Sequence, residues 1–121
     1  MNNCYVDTNV LLRYLLDDNE EMGLIAEHVL DGGSWTSPEV LAEVTYVLES
    51  VYKVPREEIT AALEIIFNHV ELRPYDICLD AIREYGETDF DFPDCMTVAY
   101  YKAGNSVFTF DKEINRRMNE I

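Results

Sequence analysis

The stretch Cys4-Tyr5-Val6-Asp7-Thr8-Asn9-Val10-Leu11-Leu12 constrains the fold more than any other. A short apolar run reaches Val6, three small polar residues follow, and apolar residues then recur at helical spacing. That is the signature of a strand ending in a carboxylate, with Thr8 or Asn9 placed to cap the helix that follows. Open parallel sheets bind their ligands outside the carboxyl ends of the strands, so Asp7 would be delivered to a functional rim. An aspartate that merely opens a turn has the same local signature.

The rest of the chain repeats this alternation. Thr8 to Leu16 reads as a short helix with Val10, Leu11, Tyr14 and Leu15 on its apolar side, stopped by Asp17-Asp18-Asn19. A second helix carries Met22, Ile25, Ala26, Val29 and Leu30 and ends at Gly32-Gly33. Ser34 to Ser37 is a brief strand, and Pro38 opens a helix that runs to about Lys53. A fourth helix begins at Pro55, Val70-Glu71-Leu72 is a short strand, and Ile77 to Tyr85 is helical. After the acidic loop from Gly86 to Asp91, a helix starts near Pro93 and ends at Gly104. Val107 to Phe110 reads as a strand that delivers Asp111 as the first strand delivers Asp7, and a helix from Lys112 closes the chain. Strands separated by helices predict an α/β fold: one domain over residues 1–121, three layers, a short central parallel sheet of about four strands, and helices on both faces.

Composition narrows the function. At 121 residues with 48% hydrophobic content the chain suits one compact domain. It has no apolar run long enough to span a membrane, and Asp7 interrupts any signal-peptide pattern, so the expected location is the cytoplasm. Cys4, Cys78 and Cys95 are odd in number and far apart, which predicts buried reduced thiols. Two histidines, His28 and His69, supply an imidazole metal centre poorly. The net charge of −15 argues against a surface that coats nucleic acid. It suits a metal site, a cationic protein partner, or simply a solvated acidic exterior.

Four acids stand out. Asp7 and Asp111 end strands, while Glu43 and Asp94 sit early in helices. In a doubly wound sheet all four reach one edge. Glu43 lies among the apolar residues Val40, Leu41 and Val44, where a buried carboxylate would be costly without a cation. For Glu39 and Asp94, a first-turn acid favouring the helix dipole is the plain alternative, and for Glu43 it is an edge position facing water. Crowded carboxylates raise one another's pKa unless a counter-charge is present, and an oxygen-only set suits Mg²⁺ or Mn²⁺. With no evident Ser, Cys or His nucleophile, the pattern points to metal-assisted phosphodiester hydrolysis.

The segments Val6 to Asn9, Leu41 to Val44, Asp91 to Asp94 and Thr109 to Lys112, in this order, resemble the motifs of PIN domains, most closely the VapC-type toxins of toxin–antitoxin pairs. The resemblance spans nearly the whole chain and implies a Mg²⁺- or Mn²⁺-dependent ribonuclease. It implies that Asp7, Glu43 and Asp94 hold the principal ion and that Asp111 orients water or helps with a second ion. Thr8, Asn9 and Thr109 would support them. Cleavage would leave a 5′-phosphate and a 3′-hydroxyl. Similar proteins continue past the Thr-Phe-Asp segment into a last strand, so a fifth strand is expected to be absent or very short here. Arg13, Lys53, Arg56, Lys112, Arg116 and Arg117 are candidates to meet phosphates, or ordinary surface charges. The implied partners are RNA and an antitoxin with a basic segment. A homodimer is expected from surplus apolar residues, notably Tyr46, Val47, Tyr52, Ile65 and Phe67. The competing readings are an inactive PIN-fold binding module, a Mg-dependent phosphatase and a phosphoacceptor domain.

Overall fold

In the computed structural model, which describes residues 3–16 and 18–121, the strands are very short. β1 (Cys4–Tyr5), β2 (Ser34–Thr36) and β3 (Glu71–Leu72) form a parallel sheet in the order β1-β2-β3. Cys4 lies opposite Ser34, Tyr5 opposite Trp35, and Thr36 opposite Leu72. The pairing runs one step further at the carboxyl ends, where Val6 N–H donates to Trp35 C=O at 2.9 Å and Arg73 N–H to Thr36 C=O at 3.0 Å. The Thr36 hydroxyl, fully buried, donates to the Val6 carbonyl at 2.8 Å. That bond satisfies a polar group inside an apolar layer and fixes the backbone immediately before Asp7.

Seven helices accompany these strands: α1 (Thr8–Leu15), α2 (Glu20–Asp31), α3 (Pro38–Ser50), α4 (Arg56–His69), α5 (Tyr75–Glu87), α6 (Phe92–Lys102) and α7 (Lys112–Asn119). Asn19 caps α2 by accepting from Met22 N–H at 3.0 Å. Asp17, part of the predicted stop before it, lies outside the described residues. α3 ends at Ser50 rather than near Lys53. Lys53 takes a left-handed φ of 55°, and Val54 N–H reaches back to Leu48 C=O at 2.9 Å.

α2 packs on β2, while α4 and α5 pack on β3, which gives the predicted α/β architecture. One large core joins Leu11, Leu41, Val44, Ile66, Leu72 and Phe92, drawn from four helices and the sheet region. A smaller cluster of Val98, Ile114 and Met118, with Val107 against it, seats α7 on α6. The predicted strand at Val107–Phe110 differs: among the described residues three strands are hydrogen-bonded, and this segment joins no ladder. Its exposure still alternates, with Val107 and Thr109 turned inward and Phe108 and Phe110 outward. Period-two patterning identified the inward pair, but patterning alone does not supply a neighbouring strand.

Glu84 is a charged residue that periodicity does not find. It sits on α5 at 0% exposure and receives Arg117 from α7 at 2.5 and 3.1 Å and Lys102 from α6 at 3.3 Å. Burial pushes its carboxyl up, but hydrogen bonds and charge from Arg117 and Lys102 outweigh this and hold it below the usual carboxylate range. Removing one cation leaves a buried carboxylate undercompensated, a change that costs roughly 3–5 kcal/mol when no partner remains. With Lys102 still in place, Arg117→Met should lower the unfolding free energy in urea by about 3 kcal/mol. A loss under about 1 kcal/mol, the worth of an exposed pair, would mean that α7 is held by its apolar contacts alone.

Candidate active site

β1 ends where Val6 is clamped to β2, and the chain turns at once into α1. The capping residue is Asp7 itself, correcting the expectation that Thr8 or Asn9 would cap. Asp7 keeps an extended backbone while its Oδ1 accepts from Val10 N–H at 3.3 Å. Thr8 is thereby the first helical residue, and its hydroxyl is free to donate to Glu43 Oε2 at 3.0 Å. Asp7, Thr8, Asn9 and Glu43 form the polar part of an open cleft of about 320 Å³, with Leu12 and Val47 as its apolar wall. Glu43 is exposed in this cleft, so it escapes the burial cost that its apolar neighbours in sequence implied.

A second group forms where α6 and α7 begin. Asp91 caps α6, its Oδ1 accepting from Asp94 N–H at 2.9 Å, and Asp111 caps α7, its Oδ1 accepting from Ile114 N–H at 2.9 Å. Asp94 stands between them. Burial pushes its carboxyl up to about 6, and Asp91, by charge and hydrogen bond, and Asp111, by charge, push the same way. Thr109 holds the approach to α7: its hydroxyl accepts from Asp111 N–H at 3.1 Å and its carbonyl from Asn115 Nδ2 at 3.0 Å.

The structure thus brings the sequence-derived acids together in two groups, Asp7 with Glu43 through Thr8, and Asp94 with Asp111. Asn9 is exposed beside the first. Among the described residues no three acids, histidines or cysteines stand close enough together to hold one ion. Asp91 belongs to the second group, although the sequence reading gave it as the end of a loop and the start of a motif segment and not as a site residue. Its signal was available: an aspartate three residues ahead of another acid, immediately before an apolar helical run, is a capping pattern.

Most of the candidate cations are already engaged. Arg56 donates to the carbonyls of Tyr85 at 2.9 Å and Phe90 at 2.5 Å and stacks on the Tyr85 ring at 3.7 Å. Arg117 is bound to Glu84, Arg13 pairs with Asp18 and Arg116 with Glu113. Lys53 and Lys112 have no ion-pair partner among the described residues. Cys78 and Cys95 are buried as expected, whereas Cys4 is only half-buried. All three cysteines are free, and burial pushes Cys78 and Cys95 up to about 12, where a nucleophilic thiolate is scarce. No helix among the described residues is long and apolar enough to cross a membrane.

Comparison with known proteins identifies the family. The model of the PIN domain family matches residues 4–119. The chain is also 34% identical over 100 residues to a VapC ribonuclease of Aquifex aeolicus (strain VF5), a match that covers 75% of this chain and 73% of that protein. With a family match that runs from the first strand to the last helix, this chain belongs to the PIN domain family.

Proposed function

We propose that the chain is a metal-dependent endoribonuclease and the toxin of a toxin–antitoxin pair. The observation that carries this reading is the gathering of Asp91, Asp94 and Asp111 at the starts of α6 and α7, where burial and the two neighbouring carboxylates push the Asp94 carboxyl up. Such a group is suited to a counter-charge, and its all-oxygen surroundings suit a hard divalent ion, Mg²⁺ or Mn²⁺. Similarity to a VapC ribonuclease supports the choice of RNA as substrate.

In this reading Asp7, Glu43 and Asp94 would hold the ion, which would have to draw the two groups of acids together, and Asp111 would orient the attacking water. A bound divalent cation supplies positive charge to the scissile phosphate and acidifies water. Thr8 fixes Glu43 by donating to Oε2, which leaves Oε1 available. The caps occupy Oδ1 of Asp7 and Asp111, so each has Oδ2 for a ligand or a water. Thr109 fixes the turn that carries Asp111. A second reading is an inactive PIN-fold binding module that keeps the acids without turnover.

Cleavage of a mixed RNA pool in Mg²⁺, Mn²⁺ or EDTA, wild type against Asp7→Asn, separates the two. The nuclease reading expects metal-dependent cutting, abolished by EDTA. It also expects Asp7→Asn to lose more than the roughly 10- to 100-fold typical of an outer-shell partner. Equal cutting in EDTA, or an Asp7→Asn protein that cuts like wild type, removes these residues from the reaction. Absence of any cutting favours the binding module.

The partners follow from charge and surface. A net charge of −15 favours a cationic protein partner, and an antitoxin with a basic segment could place an arginine against the acids in lieu of the ion's charge. Tyr46, Tyr52 and Ile65 are exposed and Val47 and Phe67 half-buried, surplus apolar area that a homodimer would cover. Sedimentation at micromolar concentration is expected to give a dimer, and titration of Mn²⁺ into the toxin–antitoxin complex to weaken it. A monomer would contradict the first expectation, and an affinity indifferent to metal the second.

A further inference from the structure

The most exposed apolar side chains described are Phe110 at 90% and Phe108 at 82%, immediately ahead of Asp111. Their placement is fixed rather than loose. Val107 is anchored against Val98, Ile114 and Met118, while Thr109 is held by Asp111 N–H and the Asn115 side chain. With its two inward residues engaged, the segment has to present Phe108 and Phe110 on its outer side. Their rings meet edge to face at 5.0 Å, and both stay open to solvent.

Neither ring serves the core. An outward aromatic pair at alternate positions is the arrangement by which protein surfaces stack unpaired bases. Its position matters equally, because the residue after Phe110 is the acid that would orient the attacking water. The charge balance requires some such device. Lys53 and Lys112 alone, of the six cations considered for phosphate contact, lack an ion-pair or carbonyl partner among the described residues. A surface of net charge −15 cannot draw RNA by its backbone. Base–aromatic stacking contributes through the neutral face of the base and tolerates any sequence.

We propose that Phe108 and Phe110 form a stacking platform for unpaired bases of single-stranded RNA next to the scissile position. The proposal rests on the ribonuclease reading for its choice of ligand. A second copy of this chain is the competing occupant. It would bring a second acidic group against Asp111 and Glu113, and nothing in that contact requires two aromatics at alternate positions.

The test is fluorescence anisotropy of a fluorescein-labelled single-stranded adenosine 10-mer in EDTA, where binding is read without cutting. Phe108→Ala and Phe110→Ala should each weaken Kd by roughly fivefold to a hundredfold, the range of one lost stack. Phe→Tyr at either site should stay near wild type, whereas Phe→Leu, apolar but without a π face, should resemble alanine. Leucine variants that bind like wild type, alanine variants with unchanged Kd, or a wild type that does not bind would each overturn the platform. So would a double-alanine variant that turns a dimer into a monomer in sedimentation with its Kd unaltered. A wild type that binds through these rings but cuts no RNA with metal would overturn the nuclease reading alone. A nuclease whose alanine variants bind normally would overturn the platform alone.

Discussion

Carboxylates crowded at the starts of helices repel one another, and this fold keeps them there by making them helix caps. Asp7, Asp91 and Asp111 each satisfy a backbone N–H in the first turn of the following helix. The cap stabilises the helix, typically by about 1 kcal/mol relative to alanine, and the positive end of the helix dipole favours the charge. The same bond fixes the side chain, so one interaction settles both where the helix starts and where an acid points. Asp94 caps nothing and lies deeper than the others, and burial first, then the neighbouring Asp91 and Asp111, push its carboxyl up.

The caps need anchored backbones. Asp7 is anchored by the buried Thr36 hydroxyl on the Val6 carbonyl. Asp111 has no ladder behind it, and its anchor is α7, held by Val98, Ile114 and Met118 and by Arg117 on Glu84. The cost of that anchor falls on the chain's small stock of cations. Nine Lys and Arg face 24 Asp and Glu, and Arg56, Lys102 and Arg117 are engaged in internal contacts. The surface left over is strongly acidic, which shapes what can approach the site.

Much of this was legible in the sequence because it follows from local rules. Alternation of short apolar runs with helical periodicity located β1, β2, β3 and the seven helices to within a few residues. The same patterning marked Asp7 and Asp111 as residues leading into helices. Local rules could not tell that Asp7 would cap, since Thr8 and Asn9 are equally good capping residues and only the clamp at Val6 decides. They overstated Val107–Phe110 as a strand, because strand formation is a contract between two segments and alternation describes one. Glu84 was invisible for a similar reason: its partners lie 18 and 33 residues away, and an acid on a helix reads as solvated until its cations are found. Glu43 erred in the opposite direction, since its neighbours in sequence are buried while its own side chain opens into the cleft.

The central claim is that burial and neighbouring carboxylates hold Asp94 above its ordinary range, and the direct measurement is the stability of Asp94→Asn against wild type in urea, in EDTA, from pH 4 to pH 7. A carboxyl whose folded pKa is about 6, above its ordinary 3.8, contributes its full stability below the lower value and loses it as pH rises through the upper one. Asparagine carries no such liability. The account therefore predicts near equality of the two proteins at pH 4 and a growing advantage for Asp94→Asn toward pH 7. At about 1.4 kcal/mol per pKa unit, reduced by solvent screening at a partly exposed group, the gain should be about 1–2 kcal/mol. A difference that stays constant across the range, or a wild type that outlasts Asp94→Asn at pH 7, would contradict the buried, acid-flanked Asp94 on which this description of the site depends.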